Sequence, residues 1–482
     1  MAKEHSTPSN EAEVQASISP AIALWARWPW LGLPVLIAAN IGLRYFLEQP
    51  ARHFWDYYAA VGITPEFVAT RHWWQFLLPM QEVNGGLWAP LTFWVTYFMQ
   101  RAWSPATTWV FSHVALILIA FWLSWWALRS CIFSYTLALC LGFGTQLYHI
   151  YAIPGSLGHP LLYMYLLFTL FCAYQVIVPH GQRAAWYVLY IISIVLLALS
   201  YESWVDFLAF SWLAACFLGV FFWSHGDRLR FTKVMFCALS ITLVGGIYIV
   251  IKLQVVIGTT NPEIDFIFAY PHIVPALEDF LSNQIFTLYL ALTNFLPPFL
   301  VSSNALYMFG SEKLVEFQRG YHADKTFLVP MHFLFLWRYY AGALCIIFLY
   351  AFVKLVKHAW RTENHMYVVL VLYMLMILMA SPSHALYKYR PYYSAPLLTY
   401  QVTVGVLGTA LLIAYLLLIA HRTLHRRPLA ALIVAGTWAL IILGVLTRPP
   451  YLHEMAKQVG VAYGQGYPDP LQRLIELLRH SP

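Results

Sequence analysis

"WVDFLAFSWLAACFLGVFFW", residues 204–223, carries one charged side chain, Asp206. A helix crossing the hydrocarbon core of a bilayer needs about 20 consecutive apolar residues, so this stretch is read as a membrane span. Working outward from it, comparable runs occupy residues 28–47, 105–128, 131–150, 157–178, 185–201, 234–256, 333–353, 366–380, 396–420 and 429–447. Of the 482 residues, 61% are apolar and 10% are charged. A soluble globule carries about 25% charged residues, so most of this surface must face lipid. The expected fold class is an all-α polytopic membrane protein with about eleven transmembrane helices.

A further run, 286–303, is interrupted by Pro297–Pro298. Proline lacks the N–H donor and clashes with the preceding turn, so this run is expected to be re-entrant or interfacial. Cation-rich connections hold Arg129, Arg183, Arg228/Arg230/Lys233, Lys354/Lys357/Arg361 and Arg422/Arg426/Arg427. They fall on one side, the cytoplasmic one, only if 286–303 does not cross. Residues 1–27 then form a polar, disordered cytoplasmic N-terminus. Residues 28–447 form the membrane domain, with large outer loops at 48–104 and 257–332. Residues 448–482 form an outer tail ending in the amphipathic "LQRLIELLRH". No small-residue cleavage site follows the first run, which reads as a retained anchor. The six cysteines lie inside apolar runs without paired spacing, so neither a disulfide framework nor a zinc site is expected. The net charge of +7 is assigned mostly to the cytoplasmic connections, and nucleic acid is not implied.

The unusual residues gather on the outer side. In "ARHFWDYY", residues 51–58, Asp56 stands between Trp55 and Tyr57. A charge at membrane depth costs about 2.5–3.5 kcal/mol by insertion scales and usually lines an interior cavity. The aromatic character of loop 48–104 suits helices lying in the interface plane, but an acid gains nothing there. Two roles stand for Asp56: an ion pair with Arg52 or a helix cap, and a general base. The second follows because a half-desolvated carboxylate binds its proton more tightly and can take one from an acceptor hydroxyl.

Glu202 and Asp206 share a helix face. Either they cap and pair locally, or they hold a divalent cation, which prefers oxygen ligands; a divalent cation is the one cofactor the sequence suggests, and no metal ligand set is assigned. In "SHALYKYRPYYSAP", Arg390 suits bidentate grip of a phosphate and Lys388 acts as a point charge. Both also suit snorkelling to headgroup phosphates. His149 and His159 flank a Pro-Gly turn, where a lone histidine reads first as a structural residue.

Residues 84–126, "NGGLWAPLTFWVTYFMQRAWSPATTWVFSHVALILIAFWLSWW", resemble a recurrent segment of the GT-C superfamily of integral-membrane glycosyltransferases. The pattern is similar to the polyprenyl-phosphate-sugar-dependent protein O-mannosyltransferase-like branch, without its tetratricopeptide repeats. Ala89–Pro90–Leu91 stands where that branch reads approximately Arg-Pro-Leu. Asp56 matches its acid in the first outer loop. "LSYESW", with Glu202, is similar to a Ser-Lys-Glu-like motif lacking the Lys. "RPYYSAP", with Arg390, Tyr393 and Pro396, is similar to an Arg-Tyr-Leu-Tyr-Leu-Pro-like motif. The resemblance implies a GT-C-like bundle in the bacterial inner (plasma) membrane. It implies transfer of a sugar from a polyprenyl-phosphate donor to a hydroxyl acceptor on the extracytoplasmic face. Asp56 would be the base, with Arg390, Lys388, His159, Glu202 and Tyr393 binding substrates.

Two other classes stand beside this one. An O-antigen ligase or polymerase would place its chemistry in loop 257–332, on residues such as Arg319, His322 and Lys325, leaving Asp56 idle. A transporter or a non-catalytic subunit of a membrane complex would tend to show paired broken helices, and the interrupted run 286–303 has no partner.

Overall fold

The computed structural model describes residues 29–42, 70, 72, 74–75, 90–92, 94–95, 98, 105–144, 158–178, 184–200, 204–257, 284, 288, 291–296, 331–379, 403–424 and 427–458. Among these residues the fold is all-helical. The helices are α1 (Leu33–Ile41), α2 (Pro105–Leu128), α3 (Cys131–Gly144), α4 (Gly158–Ile177), α5 (Ala184–Ala198) and α6 (Trp204–Ser224). They continue with α7 (Arg228–Ile257), α8 (Met331–Thr362), α9 (His365–Leu378), α10 (Thr403–Thr423) and α11 (Arg427–Gln458). Each apolar run taken for a crossing overlaps one of these helices. Stretches of α2, α4, α6, α7, α8 and α10, 6 in all, are long and apolar enough to cross a membrane. The apolar stretches of α3, α5, α9 and α11 are shorter. Large apolar side chains stand exposed along these helices, Val35 at 72% and Ile346 at 69%, as lipid-facing surface requires.

The helices close a ring. α2 packs on α3, α3 on α10, α10 on α9, α9 on α6, α6 on α7, α7 on α5, α5 on α4, and α4 back on α2. α10 also reaches α4 and α6 across the ring, while α1 lies against α2 and α3, α8 against α9, and α11 against α3 and α10. Small residues let the backbones approach, as in other membrane bundles. A Cβ on Gly408 of α10 would stand 2.7 Å from Cβ of Met376 and 3.0 Å from the carbonyl oxygen of Tyr373, both on α9.

Tight connections join α2 to α3, α6 to α7 and α8 to α9. Each uses a left-handed residue to end its helix: Arg129 at φ 51°, Gly226 at φ 75° and Glu363 at φ 54°. The following helix is then capped from its own side chains. Asp227 Oδ1 accepts from the Arg230 N–H at 3.0 Å, and Asn364 Oδ1 accepts from the Met366 N–H at 2.9 Å.

These connections lie at one end of the bundle. His225 Nε2 is 3.4 Å from Glu363 Oε1, which places the α6–α7 turn beside the α8–α9 turn. Trp126, near the end of α2, meets Phe171 of α4 and Trp186 at the start of α5, with ring centroids 5.3 and 6.0 Å apart. Tyr187, also near the start of α5, meets Phe236 of α7 at 4.9 Å. α1 begins at the same end: the Tyr135 hydroxyl, in the first turns of α3, donates to the Pro29 carbonyl and accepts from the Gly32 N–H. Asn40, at the other end of α1, reaches Gly142 at the other end of α3. α1 and α3 are therefore parallel, and the chain enters the bundle at the basic end.

The run 286–303 is described at residues 288 and 291–296. Leu288, Ala291 and Phe295 are buried in the main apolar core, and the helical turn ends before Pro297. α11 continues past residue 447 to Gln458, so the charge at Arg448 ends the apolar run and not the helix.

Candidate functional site

Five of the six predicted site residues, Asp56, Glu202, Lys388, Arg390 and Tyr393, lie outside the described residues. His159 is placed in the first turn of α4, at the end of the bundle opposite the basic connections; its side chain lies outside the described set. The amphipathic tail and most of loops 48–104 and 257–332 also lie outside it.

What is described at this far end is a strap. The Leu91 N–H donates to the Leu199 carbonyl at 2.9 Å, and the Thr92 hydroxyl donates to the Ser200 carbonyl. The Ser200 hydroxyl in turn donates to the Leu197 carbonyl at 2.7 Å, finishing α5. Both Thr92 and Ser200 are buried. The Pro90–Leu91–Thr92 segment is thus held against the residues that lead directly into Glu202. Buried polar atoms without partners are costly, so this pairing fixes the segment's register against α5.

α6 starts just beyond. Trp204 is fully buried, meets Tyr248 of α7 edge-on with centroids 5.1 Å apart, and rests its ring against Gly245. Asp206 sits in the first turn of α6 and is 0% exposed. A carboxylate there is favoured by the partial positive charge of the helix start. Its burial also withdraws it from the lipid-facing surface.

A second ionisable group is buried on α2. His113 is 0% exposed, with Nδ1 3.3 Å from Ser112 Oγ. It lies one turn nearer the far end than Ile117, which packs on Gly142 beside Asn40. Asn40 Nδ2 donates to the Gly142 carbonyl at 2.8 Å. The sequence reading passed over His113 because it lies inside an apolar span. The available signal was an imidazole where no aqueous surface is expected, which marks an interior site.

The far half therefore holds buried Asn40, Thr92, His113, Ser200, Asp206 and Thr403. These groups place hydroxyl, amide, imidazole and carboxylate chemistry inside the bundle, and Asn40, Thr92 and Ser200 are engaged in hydrogen bonds there. Among the described residues no group of three His, Cys, Asp or Glu side chains is arranged to hold a metal ion. Compared with protein-family models, curated proteins and solved structures, the chain matches none of them.

Proposed function

We propose that the chain is an integral-membrane glycosyltransferase with a GT-C-like architecture of about eleven spans. It moves a sugar from a polyprenyl-phosphate donor to a hydroxyl acceptor on the face opposite the basic connections. With positive charge marking the cytoplasmic side, that face is extracytoplasmic. The observation that supports this most is the strap: Leu91 and Thr92 on Leu199 and Ser200. Two sequence patches that carry the family resemblance, separated by about a hundred residues of chain, meet at the end where the donor phosphate would lie.

In this reading Asp56 takes the proton of the acceptor hydroxyl as its oxygen attacks the anomeric carbon. The bond from that carbon to the phosphate oxygen breaks, the configuration inverts, and the lipid phosphate leaves with the electron pair. Arg390, Lys388 and His159 offset the charge growing on that phosphate, and fixed cations do so without reorganising. Glu202 and Tyr393 position the acceptor.

Mass spectrometry of glycans and envelope lipids from a strain lacking the protein tests the class of activity. The expected result is loss of one sugar from an acceptor, with the lipid-linked donor accumulating. An unchanged glycan and lipid profile would overturn the proposal.

A further inference from the structure

Three cations of the α6–α7 connection were grouped by the sequence as markers of sidedness, yet the structure treats them differently. Arg228 is exposed to solvent. Arg230 pairs with Asp227, Nη1 to Oδ2 at 3.2 Å. Lys233 is 5% exposed and makes no hydrogen bond or ion pair among the described residues. The acids described at this end are Asp227 and Glu363, and they are engaged by Arg230 and His225.

The surroundings of Lys233 add positive potential. Phe236 and Cys237 follow it by three and four residues, so all three share one face of α7. Phe236 meets Tyr187, and the Cys237 carbonyl accepts from the Tyr190 hydroxyl at 3.3 Å, so this face looks onto α5. α5 and α7 run parallel, both starting at the basic end. One turn below the Tyr187–Phe236 contact, Lys233 lies level with the first residues of α5. Helical side chains lean toward the helix N-terminus, which carries its ammonium toward the gap between two helix starts. At the start of α7 the Arg230 N–H is already taken by Asp227 Oδ1, and the partial positive charge that each helix start carries adds to the full charge of Lys233 and favours an anion.

We propose that this gap is a binding site for the phosphate of an anionic phospholipid. The flanking surface favours a lipid over a free phosphate: Val188 and Ile191 on α5, and Leu239 and Leu243 on α7, are exposed apolar side chains that can line an acyl chain. A basic pocket between spans on the positive side is a recognised setting for anionic headgroups.

The test reconstitutes the full chain in nanodiscs of phosphatidylcholine mixed with phosphatidylglycerol and counts retained lipids by native mass spectrometry. Wild type should retain one phosphatidylglycerol in preference to phosphatidylcholine, and Lys233→Arg should do the same. Lys233→Gln should weaken that retention about fivefold or more, while Lys357→Gln, which removes an exposed cation from α8, should not. The proposal is overturned if wild type shows no preference for phosphatidylglycerol, or if inorganic phosphate displaces the retained lipid. It is equally overturned if Lys357→Gln lowers retention as much as Lys233→Gln, since attraction would then be diffuse.

Discussion

The hydroxyl of Thr92 donates to the carbonyl of Ser200, joining residues 108 apart in the chain. Both residues are buried, so the bond is shielded from water. Thr92→Val keeps the shape and removes the donor, leaving a buried carbonyl unsatisfied. The expected loss is about 1–3 kcal/mol, read as a lower melting temperature in detergent. If the strap positions the outer loop for transfer, activity should fall more than stability does.

The close approach of α9 and α10 gives a second test. Gly408→Ala places a methyl 2.7 Å from Cβ of Met376, and the Tyr373 backbone cannot yield easily. Overpacking of this kind costs about 1–3 kcal/mol. Gly246→Ala, with nothing within 4 Å of the added methyl, should be neutral or raise stability by up to about 1 kcal/mol through helix propensity. Thermal unfolding of the two variants side by side should separate them.

Sidedness follows from the pairing of His225 with Glu363. In a cysteine-free background, Arg129→Cys and Glu363→Cys should react with a membrane-impermeant maleimide from the same side of the membrane. Asp56→Cys should react from the other side. Labelling of positions 56 and 363 from one side would contradict the topology.

Donor binding tests the cationic motif. Arg390→Ala should weaken binding of the polyprenyl-phosphate sugar by at least about tenfold, because a charge-assisted bond to phosphate contributes roughly 1.5–3 kcal/mol. Acceptor binding should change little. Equal loss for both substrates would remove the phosphate role.

The helices were legible because lipid allows no other use for a long apolar run. Residues 105–128 and 204–223 were read as spans, and the structure forms helices over Pro105–Leu128 and Trp204–Ser224. The extension of α11 to Gln458 was not legible, since hydropathy ends where charge begins while backbone hydrogen bonding continues. The connection cations marked one end of the bundle, but nothing in their spacing distinguished buried Lys233 from exposed Arg228. Side-chain burial depends on which neighbour α7 meets, and that is set by packing. The Thr92–Ser200 bond was equally hidden, because its partners are brought together by helices between them. His113 was visible as a letter but not as a site, since an isolated imidazole in an apolar run does not reveal its neighbours.

Sugar transfer by purified protein, with a labelled polyprenyl-phosphate donor and Asp56→Asn beside wild type, bears most directly on the central proposal. Loss of a general base lowers turnover by about 100-fold or more, and the variant should keep the wild-type melting temperature. Wild-type turnover in Asp56→Asn, or transfer absent from both proteins with every donor tried, would contradict the account.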